Sequence, residues 1–211
     1  MAVSVKSKYS AIIFDLGNVL IPFDYNFFIE KINGIEHGLG NKFIEYYKSN
    51  YSIHRDFERG FITQEEFVNK MLDVIDNRIN ANTFCKYYAD IFRVDEEVAS
   101  LLPILKKKYE LYLLSNTDSI HQKYGWQKYD FLKHFDKLIL SHEVGAVKPE
   151  KRIYLAVEET SGYPSEEHIF IDDVEEYVNA AKSLGWDGIH FKGYNSLVEE
   201  LNLRKILSIN I

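Results

Sequence analysis

Cysteine is almost absent from this chain of 211 residues, in which Cys85 is the single example. One cysteine excludes an intrachain disulfide and gives no basis for a thiolate metal site. Proline is also scarce, with four residues, and no tract rich in proline, glycine or serine interrupts the chain. The sequence therefore predicts one domain, or one domain that carries a smaller inserted one.

Long apolar runs are missing as well. The apolar run near the N-terminus is interrupted at Asp15, which makes it too short for a signal peptide or a membrane span. We therefore expect no membrane partner and a reducing compartment, the cytoplasm.

Positive charge is in deficit, since the formal net charge is -7. The short run Lys106–Lys108 is typical of the last turn of a helix and does not form a basic stripe, so we expect no nucleic-acid partner. The chain is instead 46% hydrophobic and 15% aromatic, which is enough for a sizeable core. Nothing in the composition indicates an oligomeric state.

Three stretches of the chain differ in pattern. Ser10–Ile21 predicts a buried strand, and the stretch that follows it predicts helices rich in Phe and Tyr, with a capping box from Thr63 to Glu66. From Asp95 onward, helices and short apolar strands alternate. This alternation predicts an α/β fold with a doubly wound parallel sheet covered by helices on both faces.

The predicted domains follow from these stretches. The core consists of residues 1–21 and 95–211, and residues 22–94 form an inserted α-helical cap. Within the core, the remaining strands are predicted at Leu111–Leu114, Leu138–Leu140, His168–Ile171 and Gly188–Phe191. The core helices are predicted at Glu96–Lys108 (disturbed at Pro103), Glu150–Ser161, Glu175–Leu184 and from Ser196 onward.

Polar side chains follow the predicted strands, where ligands bind in open α/β sheets. They are Asp15, Ser115–Asp118, Lys148-Pro149 and Asp172-Asp173. Each alone also fits an ordinary turn or helix cap, but together they supply carboxylates, a hydroxyl, an amide and an ammonium group.

This set supports phosphoryl transfer. A carboxylate attacks phosphorus, Lys148 balances the charge of the phosphate, and Ser115 and Asn116 donate hydrogen bonds to its oxygens. The carboxylates of Asp15 and Asp172-Asp173 repel one another without a cation, which predicts a Mg²⁺ site.

At these residues the chain resembles the haloacid dehalogenase (HAD) superfamily. The four motifs are FDLGNVL at Asp15, LLSNT at Ser115, VGAVKPEKRIY at Lys148 and FIDD at Asp172-Asp173, in the order of the family. The residues of these motifs most resemble those of a bacterial subgroup that includes an α-D-glucose-1-phosphate phosphatase. The resemblance implies a HAD-type Rossmann-like core with a mobile helical cap.

The resemblance also implies a role for each motif residue. Asp15 would be the nucleophile and a metal ligand, and Lys148 would steady the nucleophile and the phosphate. Ser115 and Asn116 would hold the phosphate. The Mg²⁺ ligands would be Asp15, the backbone carbonyl of Gly17, Asp172 and Asp173.

Cap residues are predicted to face the substrate through the same resemblance. The candidates are His54, Arg55 and Glu58. Their spacing fits equally well a solvated helix with surface ion pairs. Hinges between cap and core are predicted near Ile21–Asp24 and Val94–Glu96.

Position 17 lacks the second aspartate with which most phosphatases of the superfamily protonate the leaving oxygen. A phosphatase could take its acid from Asp24, His54 or Glu58, or could act on a sugar 1-phosphate, whose hemiacetal oxygen needs less help. A metal-independent 2-haloacid dehalogenase also lacks this acid, but the paired Asp172-Asp173 argues against it. The third interpretation is a catalytically weakened, phosphate-binding regulatory protein.

We favour the first interpretation. The sequence predicts a magnesium-dependent phosphoric monoester hydrolase that acts on a small phosphorylated metabolite, and a sugar phosphate is the expected substrate class.

Overall fold

A computed structural model describes residues 7–207 of the chain. Five parallel strands form one sheet in the order β3-β2-β1-β4-β5, which confirms the predicted doubly wound fold. The central strand β1 is fully buried because it pairs with a neighbour on each side. The strands are β1 (Ala11–Phe14), β2 (Glu110–Ser115), β3 (Lys137–Leu140), β4 (His168–Asp172) and β5 (Asp187–His190).

Helices form an insertion after β1 and alternate with the later strands. The insertion contains α1 (Asn26–Asn33), α2 (Leu39–Ser49), α3 (Tyr51–Glu58), α4 (Gln64–Val74) and α5 (Ala81–Ala89). The later helices are α6 (Glu96–Ala99), α7 (Leu102–Leu105), α8 (Ser141–Val144), α9 (Lys151–Ser161), α10 (Glu175–Ser183) and α11 (Tyr194–Leu203). A π-helix covers His121–Trp126, and 3₁₀ helices cover Asp130–His134 and Ser165–Glu167.

The first predicted strand, Ser10–Ile21, is wrong in its length. The strand ends at Phe14, and the chain then turns, since the amides of Leu20 and Ile21 both donate to the carbonyl of Leu16, at 2.9 and 3.0 Å. These residues stay buried although they leave the sheet. An apolar run cannot by itself distinguish a buried strand from a buried turn.

The predicted helix Glu96–Lys108 is also wrong, because α6 and α7 are separate helices of four residues each. Pro103 lies in the first turn of α7, where its missing N–H costs no intrahelical hydrogen bond. Helix α11 begins at Tyr194, two residues before the predicted start at Ser196. The predicted core segments begin at residue 1 and end at residue 211, outside the described residues.

The two faces of the sheet pack against different partners. Ile12 and Phe14 of β1 belong to a core that continues into the helical insertion, whereas Ile13 packs with Tyr154 and Trp186 under α9 and α10. Aromatic rings fill the interior of the insertion, including Phe28, Phe43, Phe84 and Tyr88. The predicted capping box is present, since Thr63 Oγ1 accepts from the Glu66 amide and the Glu66 carboxylate accepts from the Thr63 amide. The buried Phe and Tyr residues of the middle stretch therefore form the core of the cap, whereas Phe27, Tyr51 and Phe61 are exposed.

Two crossing segments connect the cap to the core, at the places predicted as hinges. They run side by side: the Asp24 amide donates to Ile91 O at 3.1 Å, and the Arg93 amide donates to Pro22 O at 3.0 Å. A further bond links the Asp95 amide to Leu20 O at 2.9 Å. These hydrogen bonds join the two segments into one connection between the cap and the core. Movement of the cap about this connection stays a prediction.

Gly60, directly after α3, brings the cap against the core. Its φ is +70°, and a Cβ at this position would lie 2.3 Å from the carbonyl oxygen of His142 in α8. Arg59 adds an ion pair to Glu150 of the core at 2.6 Å. The cap therefore contacts the core at α8, the short helix that follows β3.

We expect Gly60→Ala to lower the free energy of unfolding by more than Gly162→Ala does. Gly162 has a similar φ of +71° but nothing within 4 Å of an added Cβ, so it carries only the left-handed backbone cost, about 1–2 kcal/mol. The clash with His142 should add about 1–3 kcal/mol at Gly60. Denaturant unfolding measures both; equal losses would show that the cap does not rest on α8 in solution.

Candidate active site

The carboxyl ends of three neighbouring strands bring the predicted motif residues together. Asp15 follows β1 and its amide donates to Ile171 O of β4 at 2.9 Å, so the chain stays in register with β4 as it leaves the sheet. Ser115 ends β2 and Asp172 ends β4. Because the strands are parallel, these side chains lie at one edge of the sheet.

Lys148 lies at the centre of this edge with 1% of its surface exposed. Its Nζ is 2.7 Å from Asp15 Oδ1 and 2.6 Å from Asp172 Oδ2. The ammonium also lies over two aromatic rings, with Nζ 5.4 Å from the ring centroid of Phe170 and 5.3 Å from that of Tyr177. Burial alone lowers the pKa of a lysine, but the two carboxylates reverse this and raise the pKa of Lys148, so it stays charged.

Three carboxylates form a cluster suited to a cation. Asp15, Asp172 and Asp173 each offer an oxygen, and these oxygens lie within 4.8 Å of one another. Burial raises the pKa of Asp15 to about 7 in spite of the opposing charge of Lys148, and the neighbouring Asp172 adds to the increase. A cluster of carboxylate oxygens fits Mg²⁺, which prefers oxygen ligands. The metal role of the Gly17 carbonyl stays a prediction.

The side chain of Asn116 binds the backbone of Lys148, and its role in holding a phosphate stays a prediction. Its Oδ1 accepts from the Lys148 amide at 2.7 Å, and its Nδ2 donates to the Lys148 carbonyl at 3.1 Å. Arg55 of the cap donates to the same carbonyl at 3.1 Å. Asn116 and Arg55 therefore position Lys148, while Ser115 remains on the wall of the adjacent cavity.

The predicted cap residues form one buried hydrogen-bonded group. His54 lies 3.2 Å from the Tyr88 hydroxyl through Nδ1 and 3.4 Å from Glu58 through Nε2. Glu58 also accepts from Arg55 at 2.7 Å. Although burial opposes it, these partners lower the pKa of Glu58, which is therefore an anion. His54 and Arg55 support Glu58, and of these three only Glu58 lines the cavity.

A cavity of about 70 Å³ lies beside the carboxylate cluster. Gly17, Ser115 and Asn116 form its wall on the core side, and Glu58 reaches it from the cap. Its other lining residues are aromatic or aliphatic apart from Thr117 and His121: Leu16, Ile21, Phe23, Tyr25, Ile91, Phe92 and Trp126. Asp24, a predicted source of the missing acid, is exposed, accepts from the Asn26 amide and does not line this cavity.

Sequence reasoning missed the pair Asp118–His121 at this cavity. Asp118 is fully buried, and its Oδ2 lies 2.8 Å from His121 Nδ1. Asp118 Oδ1 accepts from the amides of Ile120 and His121. The only signal in the sequence is an aspartate three residues before a histidine, which is also the pattern of an ordinary helix cap.

Comparisons with known proteins agree with this geometry. Residues 9–185 match the family model of haloacid dehalogenase-like hydrolases. A D-ribitol-5-phosphate phosphatase of Bacteroides thetaiotaomicron is 25% identical over 187 residues, which cover 83% of this chain and 88% of that protein. A phosphorylated carbohydrates phosphatase of Thermotoga maritima is 23% identical, with 93% of this chain and 89% of that protein covered.

The solved structures include a HAD family enzyme of Bacteroides thetaiotaomicron in complex with magnesium and inorganic phosphate. It is 31% identical and superimposes with a TM-score of 0.78, covering 87% of this chain and 94% of that one. None of these three relatives is named a glucose-1-phosphate phosphatase, so the resemblance to that subgroup stays a prediction. Among residues 7–207, no helix is long and apolar enough to cross a membrane.

We expect Mg²⁺ to stabilise the protein through the carboxylate cluster. At a concentration one hundred times its dissociation constant, a cation that binds only the folded state adds about 2.7 kcal/mol to the free energy of unfolding. Asp173→Asn removes one anionic ligand, so the stabilisation at the same Mg²⁺ concentration should shrink. Thermal unfolding with and without Mg²⁺ measures it.

The matched control for this prediction is Asp130→Asn, the same chemical change at an exposed aspartate that is not part of the carboxylate cluster. It should keep the full Mg²⁺ effect. An unchanged effect in Asp173→Asn, or no effect in the wild type, would contradict the assignment of the cluster as a cation site.

Proposed function

The chain belongs to the haloacid dehalogenase-like hydrolases, and we propose that it is a magnesium-dependent phosphatase that hydrolyses a small phosphorylated sugar or sugar alcohol. The observation that carries this proposal is the Asp15–Lys148–Asp172 arrangement, in which a carboxylate contacts a buried lysine and belongs to a cluster of three carboxylates suited to a cation. The names of the relatives, two of which act on phosphorylated carbohydrates or a sugar-alcohol phosphate, support the substrate class.

Asp15 is the nucleophile of the proposed reaction. Its carboxylate attacks phosphorus, the P–O bond to the leaving alcohol breaks, and an aspartyl-phosphate forms on Asp15. Water then attacks the phosphorus of this intermediate and releases inorganic phosphate and the free carboxylate. Two steps replace one difficult displacement.

Charge decides which residues assist these steps. Lys148 keeps the Asp15 carboxylate in place and balances the phosphoryl oxygens, and the Ser115 hydroxyl at the cavity wall donates to them. Asn116 and Arg55 act indirectly by fixing the Lys148 backbone. Bound Mg²⁺ would be held by Asp15, Asp172 and Asp173 and would neutralise negative charge on the phosphoryl group.

The cation cluster separates this proposal from the other interpretations of Gly17. A 2-haloacid dehalogenase releases a halide and needs no cation, whereas here three carboxylates converge within 4.8 Å. A purely regulatory phosphate-binding protein needs no nucleophile in contact with a buried lysine. The phosphatase uses every member of the site.

A small cavity restricts the leaving group. The cavity measures about 70 Å³ when the cap rests on the core, well below the roughly 300–1,000 Å³ of typical ligand pockets, so a leaving group as large as a nucleotide does not fit this arrangement. Among phosphorylated sugars, a sugar 1-phosphate would suit a site without an aspartate at position 17, because its leaving oxygen is less basic.

We expect phosphate release from a panel of sugar 1-phosphates, terminal sugar phosphates and sugar-alcohol phosphates in the presence of Mg²⁺. EDTA and Asp15→Asn should each abolish it, because the first removes the cation and the second the nucleophile. Asp130→Asn should retain wild-type turnover as the control. Halide release from 2-haloacids in EDTA, without phosphate release from the panel, would contradict the proposed function.

A further inference from the structure

The cavity contains polar atoms that have no partner in the protein. Among the described residues, three buried side-chain atoms make no hydrogen bond: Asp118 Oδ2, which lies 2.8 Å from His121 Nδ1 in an ion pair, His121 Nε2 and Trp126 Nε1. The side chains of His121 and Trp126 line the cavity, and they are 5% and 1% exposed. A buried polar group without a partner is destabilising, so two such groups on residues that line one cavity indicate a polar ligand there.

A π-helix brings the side chains of His121 and Trp126 to the cavity. It begins at His121 and ends at Trp126, and such wide turns occur frequently at functional sites. Gly125 permits the close approach of this helix to α5, since a Cβ there would lie 3.0 Å from the carbonyl oxygen of Ala89, the last residue of α5, and 2.9 Å from the ring of Phe92. The π-helix therefore places the side chains of His121 and Trp126 on the wall of the cavity.

The imidazole of His121 is held in a single orientation. Its Nδ1 lies 2.8 Å from Asp118 Oδ2, Tyr88 stacks on the ring at a centroid distance of 4.4 Å, and Phe92 meets it edge-on at 5.1 Å. Asp118 is itself fixed by the amides of Ile120 and His121. These contacts occupy Nδ1 and one ring face, and Nε2 is left for a ligand.

We propose that His121, oriented by Asp118, is the general acid and base that replaces the carboxylate missing at Gly17. This inference rests on the proposed phosphatase function. His121 shares the cavity wall with Gly17, Ser115 and Asn116, which places its side chain on the same cavity as the residues that flank the nucleophile.

Proton balance follows from the two steps. In the first, His121 Nε2–H gives its proton to the leaving oxygen as the P–O bond breaks, and the alcohol departs neutral. In the second, the neutral Nε2 takes a proton from the water that attacks the aspartyl-phosphate. The imidazolium is restored, and Asp118 stabilises it in the dry interior through Nδ1–H, as the carboxylate of a catalytic triad does.

The other titratable groups near the cavity are less suitable. Glu58 is an anion held by Arg55 and His54, and has no proton to give. Both ring nitrogens of His54 have partners. Burial raises the pKa of the Tyr25 hydroxyl far above neutrality, so it is a poor acid.

Two phosphate esters with different leaving groups test this assignment. p-Nitrophenolate leaves without a proton, whereas the alkoxide of a primary sugar-alcohol phosphate needs one. His121→Gln should lower kcat/KM for the best sugar-alcohol phosphate of the panel by about 10²- to 10⁴-fold. Formation of p-nitrophenol in the first turnover should be nearly unchanged.

The second step gives an independent readout. Without the base, hydrolysis of the aspartyl-phosphate becomes rate-limiting, so His121→Gln should show a burst of p-nitrophenol equal to the enzyme concentration, followed by slow turnover. Asp118→Asn should show the same pattern with a smaller loss, since it misorients the ring and leaves it present. Asp118→Asn also serves where His121→Gln does not fold.

Control variants separate the possible outcomes. His37→Gln, at an exposed position of the cap, should behave as the wild type with both esters, and Asp15→Asn should be inactive with both. An equal loss of kcat/KM, which reports the first step, with both esters in His121→Gln and Asp118→Asn, or no loss with either, would overturn the role of His121. A wild type inactive with both esters would instead contradict the proposed phosphatase.

Discussion

The ammonium group of Lys148 is shared by two carboxylates, 2.7 Å from Asp15 and 2.6 Å from Asp172, in a place almost without solvent. Removing Lys148 leaves two buried carboxylates without their cation, and breaking a buried ion pair in this way costs about 3–5 kcal/mol. The three residues come from β1, β4 and the loop before α9, so the sheet must be in register before the contact can form. The fold and the site therefore depend on the same interaction.

The backbone of Lys148 extends this dependence to the cap. Asn116 binds both backbone groups of Lys148 from within the core, and Arg55 reaches the carbonyl from the cap. If the cap opens, the Arg55 bond and the ion pair of Arg59 with Glu150 must break, while the Asn116 bonds remain because both partners belong to the core. Cap position can then influence the nucleophile through a small displacement of Lys148, without any change in the sheet.

The sheet and the four motif positions were predictable because each depends on a local signal. A short apolar run followed by a polar residue is visible in the sequence, and parallel strands bring such residues to one edge. The turn from Leu16 to Ile21 was not predictable, since its burial matches that of a strand. The role of Asn116 as a partner of the Lys148 backbone depends on two loops 32 residues apart, and no local pattern encodes that pairing.

Gly17 and Phe23 explain why an acid on the other wall of the cavity suits this chain. A Cβ at position 17 would lie 3.0 Å from Cε1 of Phe23, so even alanine requires the ring to shift by a few tenths of an ångström. That ring packs edge-on against Tyr25 and Phe92, at centroid distances of 5.8 and 6.1 Å. An aspartate at 17 would have to displace it, which would disturb the crossing segments between core and cap. An aromatic ring thus occupies the space beside the nucleophile, which is consistent with the proposed approach of the proton donor from the π-helix that begins at His121.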